Sequence, residues 1–210
     1  MCVPPGPNVH AFPSQPPYSR TMTPMRVYIV GGPGSGKTTL ARSLAAITGA
    51  RHFELDRLAW EEPAGPLRPD RELAGIIEDV LASGSWVGEG LYTGWTDRLM
   101  EQADAVVWLD PPWPAAIWRI VLRHVKAEMK RNNRYPGWRR LARFVRSSVR
   151  YYTRDASDAR NGIERLGWCR AALASCAPRL GTRVLHVRRA AASDVLRFLE
   201  TAARERRAVP

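Results

Sequence analysis

The chain of 210 residues is long enough for one full domain with a buried core. Its 45% hydrophobic and 25% charged residues, with 8 Trp, exclude a disordered or fibrous chain, and no run approaches the roughly 20 apolar residues needed to cross a bilayer. Lys and Arg outnumber Asp and Glu by 32 to 20, a net charge of +12, which points to a polyanionic partner such as nucleotide phosphates or nucleic acid.

Met1 to Pro24 holds seven prolines and no apolar period, so it reads as a disordered leader ahead of a domain over 25–206. It lacks a basic stretch followed by an apolar one, and no secretory signal is expected. Met25 to Val30 is a nearly continuous apolar run ending in glycine, the pattern of a buried parallel strand. Leu40, Leu44 and Ile47 predict a helix closed by Gly49. His52 to Leu55 reads as a second strand ending at Asp56. Leu73, Ile76, Ile77, Val80 and Leu81 mark an amphipathic helix after Pro69. Ser85 to Gly88 is a weaker strand before Glu89-Gly90, and Ala105 to Leu109 a strong one stopped by Asp110-Pro111-Pro112. Basic helices follow at about 114–131, 138–152 and 162–175, then a strand over Arg183 to Val187 and a last helix capped by Ser193. Strands alternating with helices imply an α/β domain on a parallel sheet.

Gly31-Gly32-Pro33-Gly34-Ser35-Gly36-Lys37-Thr38 matches G-x-x-x-x-G-K-[ST] in full, after a strand and before a helix. Glycines there let backbone N–H groups converge on phosphate oxygens, and the helix N-terminus favours negative charge. The cofactor-binding set is therefore residues 31–38 with Thr39. Lys37 is placed to bridge β- and γ-phosphates and Thr38 to offer its hydroxyl to Mg²⁺. The expected cofactors are ATP and Mg²⁺. A solvent-facing Lys37, removable at little cost in stability, is the expectation for the free protein.

The remaining spacing narrows the class. No N-K-x-D base-reading motif for a switch GTPase is present, and the strand ending at Leu109 carries Asp110 alone, where AAA-type ATPases place two adjacent acids. Small size, an acid early at Asp56 and a basic helical insertion before the last strand fit a compact phosphotransferase.

The run VYIVGGPGSGKTTLARSLA, then HFELDRLAW, SWVGEGLYTGWTDRLMEQADAVVWLD and WRIVLRH resembles the adenylate-kinase-like P-loop proteins labelled DNA topology modulation proteins, which are related to adenylate, shikimate and gluconate kinases. The resemblance runs in order from about Arg26 to Tyr152. It implies a P-loop NTPase fold with a five-stranded parallel sheet flanked by helices and a basic, arginine-bearing lid at about 117–152. It also implies that Asp56 faces Mg²⁺ and the acceptor hydroxyl, as a metal-side and catalytic residue. Helix capping is the alternative role for Asp56. Arg119 and Arg123 match lid arginines and, at i and i+4, share one helix face; an ordinary exposed face is their alternative. Gly90 matches the end of the third strand, near the acceptor. Two positions depart from the pattern: Glu89-Gly90 replaces the usual Asp-Gly, and no arginine follows shortly to grip AMP. Trp60, Tyr92 and Trp95 form either an aromatic acceptor pocket or core packing.

From Ile117 to Arg170 there are 15 Lys/Arg against 4 Asp/Glu, so the charge excess is concentrated in one segment. Two functions follow. One is an ATP-dependent kinase acting on a small-molecule or nucleotide acceptor, with Lys37, Asp56, Arg119 and Arg123 as its catalytic residues. The other is a nucleic-acid-binding P-loop protein whose basic segment, with Tyr135, Trp138, Phe144, Tyr151 and Tyr152, grips a strand and uses ATP as a switch. Cys2, Cys169 and Cys176 are too few and too far apart for a disulfide scaffold and read as reduced thiols of a cytoplasmic protein. A monomer with no membrane partner is expected.

Overall fold

A computed structural model describes residues 25–61, 66–92, 95–131, 133, 136–155 and 169–208. The Pro-rich stretch before Met25, Tyr135 and the first part of the third basic helix lie outside the described residues. In chain order the elements are β1 (Arg26–Val30), α1 (Lys37–Thr48), β2 (Arg51–Glu54), α2 (Leu55–Leu58), α3 (Asp70–Ala82), β3 (Trp86–Glu89), α4 (Asp97–Gln102), β4 (Ala105–Leu109), α5 (Trp113–Met129), α6 (Trp138–Thr153), α7 (Arg170–Leu180), β5 (Val184–Val187) and α8 (Ala192–Ala208). The strands form one parallel sheet in the order β2-β3-β1-β4-β5.

The sheet is apolar on both faces because helices cover both. Tyr28, Val30, Trp86, Val106 and Trp108 face α3, α4, α6 and α7, where Leu73, Ile76, Leu99, Tyr151 and Leu173 complete the core. Val27, Ile29, Val87, Val107 and Leu109 face the other way, onto Leu40, Ala41 and Leu44 of α1 and Val195 of α8. Each fully buried Leu or Ile contributes roughly 1.5–3 kcal/mol. The family of strands that this core holds together ends along one edge, where the loop after β1, Glu89 and Asp110 come side by side.

Four local expectations are corrected. The second strand ends at Glu54 and Leu55 opens the one-turn α2, which carries Asp56. The third strand runs one residue further, to Glu89. Ile47 is 63% exposed, because Ala41 rather than Ile47 joins Leu40 and Leu44 against the sheet. Ser193 does not cap the last helix: α8 begins at Ala192, and the Asp194 carboxylate reaches back to accept the Ala191 N–H at 2.8 Å. The six-residue α4 is too short to show a helical period in sequence. Among the described residues no helix is long and apolar enough to cross a membrane.

Candidate active site

The loop between β1 and α1 is held by close approach on two sides. A Cβ on Gly34, whose φ is +76°, would lie 2.4 Å from the Ala116 carbonyl oxygen of α5. A Cβ on Gly32 would lie 2.5 Å from the Tyr151 ring of α6. Both basic helices therefore rest on the loop, and only glycine lets them approach this closely. The Tyr151 hydroxyl accepts a 3.0 Å hydrogen bond from Trp108 Nε1, which fixes the ring against the loop, and burial pushes its phenol well above the ordinary range.

Lys37 opens α1 and is only 9% exposed. Its ammonium donates to the Gly31 carbonyl at 2.8 Å and the Gly32 carbonyl at 3.3 Å. The solvent-facing lysine expected from sequence is thus corrected: a charge in a nearly closed loop takes the nearest acceptors. Thr38, next along α1, donates to Glu89 Oε1 at 2.7 Å. Thr39 is exposed.

Glu89, in sequence only a departure at the end of the third strand, is the carboxylate that the fold brings to Thr38. It is 2% exposed, and its second oxygen, Oε2, has no hydrogen-bond partner among the described residues. Burial pushes its carboxyl up from the ordinary range, while the Thr38 hydrogen bond and the Lys37 charge pull it back down. The only signal in sequence was an acid at the end of a strand; its importance comes from β3 lying directly beside β1, with Ile29 opposite Glu89.

Asp56 projects from the exposed turn of α2, and the carboxylate touching Thr38 is Glu89. Asp56 faces Tyr92, whose hydroxyl interacts with both Trp60 and Asp56; burial first, and then the Asp56 charge, raise that phenol far above its usual range. Tyr92 and Trp95 are tilted ring neighbours at 5.3 Å. Tyr92 belongs to the core, with Trp60 and Trp95 packed against it, so the three aromatics serve chiefly as packing. Only the Tyr92 hydroxyl reaches toward the acid.

Arg119 donates to the Ser35 carbonyl at 3.1 Å, so α5 delivers a guanidinium to the loop. Arg123 lies one turn further on the same face and is exposed. Asp110 is taken up by two other side chains. Arg170 Nε donates to its two oxygens at 3.0 and 2.9 Å, and His186 Nε2, whose ring stacks on Trp108, lies 3.1 Å from Oδ2.

Mg²⁺ is a hard cation that takes oxygen ligands, often one or two carboxylates plus phosphates. The Thr38 hydroxyl and a buried carboxylate with an unpartnered oxygen fit it, with the Glu89 carboxylate added to the Thr38 and Asp56 set read from sequence.

Residues 27–110, from β1 through Asp110, match the family model described as ATPase family associated with various cellular activities (AAA). The match covers the phosphate loop and the first four strands, although the lone Asp110 had spoken against AAA-type ATPases, and the structure ties that acid to Arg170 and His186. No curated protein matches the chain. Among solved structures, a gluconokinase from Sinorhizobium meliloti 1021 is similar at 19% identity and a TM-score of 0.46, over 88% of this chain and 94% of that one. A shikimate kinase from Acinetobacter baumannii, in complex with shikimate, is similar at 15% identity and a TM-score of 0.49, over 89% and 97%. A sugar kinase from Janibacter sp. HTCC2649 is similar at 19% identity and a TM-score of 0.41, over 89% and 97%. Likenesses of this degree carry no argument about activity. What the chain itself presents, in its sheet order and phosphate loop, is a P-loop NTPase fold.

Proposed function

We propose that the chain is an ATP-dependent phosphotransferase that uses Mg²⁺ and acts on a small-molecule or nucleotide acceptor, akin to the adenylate-kinase-like group its sequence resembles. The observation that carries this reading is the convergence on one loop of Lys37, Thr38 with Glu89, and Arg119. Backbone N–H groups of the loop and the N-terminus of α1 receive the phosphates. Lys37 exchanges its two carbonyl partners for phosphate oxygens, and Arg119 and Arg123 neutralise charge that develops on the transferring group. Bound Mg²⁺ would supply further charge neutralisation; Thr38 and Glu89, with Asp56, would hold it. Asp56, set against Tyr92, orients the acceptor hydroxyl and takes its proton, and little more is needed in a loose phosphoryl transition state.

The test is a phosphate-transfer screen over nucleotides, sugars and hydroxy acids with MgATP, with Lys37→Ala as control. ADP formed with a particular acceptor and lost in the variant is the expected result. No acceptor-dependent ADP, together with unchanged MgATP binding by Lys37→Ala, overturns the reading.

A second reading has its own observation. α6 presents Arg139, Arg140, Arg143, Arg146 and Arg150 to solvent, beside Trp138 at 62% and Phe144 at 42% exposure. Basic residues with exposed rings suit a single nucleic-acid strand.

A further inference from the structure

On the α1 face of the sheet, next to the phosphate loop but on the β2 side of it, three side chains converge that the phosphotransferase reading does not use as a set. His52 and Glu54 alternate along β2 and so share one face, and Glu54 is the register partner of Glu89 on β3. One ligand-type atom from each of His52, Glu54 and Glu89 lies within 4.8 Å of the other two. Two of these groups have unmet bonding capacity: His52 Nε2 and Glu89 Oε2 are buried with no hydrogen-bond partner among the described residues. Glu89 itself is 2% exposed. A buried carboxylate oxygen without a partner costs free energy, and a cation is what removes that cost most directly.

The neighbours define how the site is held. Thr38 occupies the other Glu89 oxygen, Oε1, and leaves Oε2 open to a further partner. Arg42 of α1 donates to Glu54 Oε1 at 2.5 Å, and Arg57 stands 3.9 Å from Glu54 Oε2, which orients the carboxylate. Ligating carboxylates are commonly held by such outer partners.

We propose that His52, Glu54 and Glu89 form a binding site for a divalent first-row transition ion, of the Mn²⁺ to Zn²⁺ type, that fills without nucleotide. One imidazole with two carboxylates is a mixed nitrogen and oxygen set, which suits such ions, whereas Mg²⁺ and Ca²⁺ favour oxygen alone. Three protein ligands leave coordination positions open. Glu89 links this site to Thr38, so a bound ion and a nucleotide share one carboxylate. The site stands on its own geometry and does not depend on the phosphotransferase reading.

The test uses the full chain, stripped with chelator and free of nucleotide, with Mn²⁺ alone as the probe, since Mn²⁺ has little preference for the cysteine thiols. Titration followed by electron paramagnetic resonance is expected to show one bound equivalent, with nitrogen modulation of the echo from a coordinated imidazole. His52→Ala should lose the nitrogen signal and weaken Mn²⁺ binding roughly tenfold or more, the scale for losing a metal-site partner. MgATP binding by the same variant should stay near the parent value, which separates this proposal from the proposed activity. No bound Mn²⁺, a bound ion without nitrogen coupling, or equal affinity in parent and His52→Ala overturns the proposal. Should His52→Ala fail to fold, Glu54→Gln keeps the size of the side chain, and unchanged affinity there overturns it as well.

Discussion

Lys37 is tied twice to its own loop, so its removal acts on stability as well as on binding. Lys37→Ala leaves the Gly31 and Gly32 carbonyls without the ammonium, a loss of about 1.5–3 kcal/mol for hydrogen bonds to a charged group. Urea unfolding should show that loss, and calorimetry a large fall in MgATP affinity. Equal affinity would mean that this loop does not hold the phosphates. Gly34 offers a sharper steric case. An alanine there meets the Ala116 carbonyl at 2.4 Å and must also hold a φ of +76°. Overpacking and backbone strain together should destabilise Gly34→Ala by roughly 1–3 kcal/mol, read from its unfolding midpoint. A variant as stable as the parent would show that α5 stands off the loop.

At the scale of elements, α5 and α6 are joined by Glu128, which accepts from the Gly137 N–H at 3.1 Å and from Asn133 Nδ2 at 2.8 Å. The Gly137 N–H first, then Asn133, hold its carboxyl below the ordinary value of 4.5. The sign follows from linkage: the charged form is favoured in the folded chain, so these bonds are present above pH 4.5 and are lost as pH falls through the lowered value. The Gly137 amide resonance should titrate with a midpoint below 4.5, and Glu128→Gln should flatten that response. A second expectation concerns closure. Ala116 and Ile120 are buried at the foot of α5, at 1% and 2% exposure, so the first half of that helix is anchored to the loop. Tyr151 of α6 is buried against the loop as well, so any opening of the basic segment is confined to the stretch between Ile120 and Tyr151. If this part is a lid, hydrogen exchange should slow across it when MgATP is added. Protection that rises at residues 31–38 alone would remove the lid from the mechanism.

For the whole molecule, the +12 net charge bears on partners rather than on fold. A kinase needs positive charge only where phosphates sit, and the exposed arginines of α6 exceed what one triphosphate requires. Titrating a labelled single-stranded oligonucleotide across a salt series separates the two readings. A phosphotransferase should bind weakly with no preference worth the name, whereas sub-micromolar affinity that falls steeply with salt favours the strand-binding reading.

Features that rest on neighbouring residues are legible without the fold. The phosphate loop is contiguous, its glycines are set by local backbone geometry, and the apolar run Ala105 to Leu109 is a buried strand whatever lies beside it. The same local code explains the errors: the Glu54/Leu55 boundary and the Asp194 cap depend on single hydrogen bonds that a periodic pattern does not carry. Tertiary structure decided everything that needs strand order. Every buried strand of a parallel sheet shows much the same apolar run, so nothing local states that β3 lies next to β1. That adjacency brings Glu89 to Thr38, 51 positions away, and the β2–β3 pairing sets His52 and Glu54 beside it. The β4–β5 pairing sends Asp110 to His186, with Arg170 alongside, 76 and 60 positions on, and leaves Glu89 as the carboxylate that touches the loop threonine, because a side chain bonds what the folded sheet puts within reach.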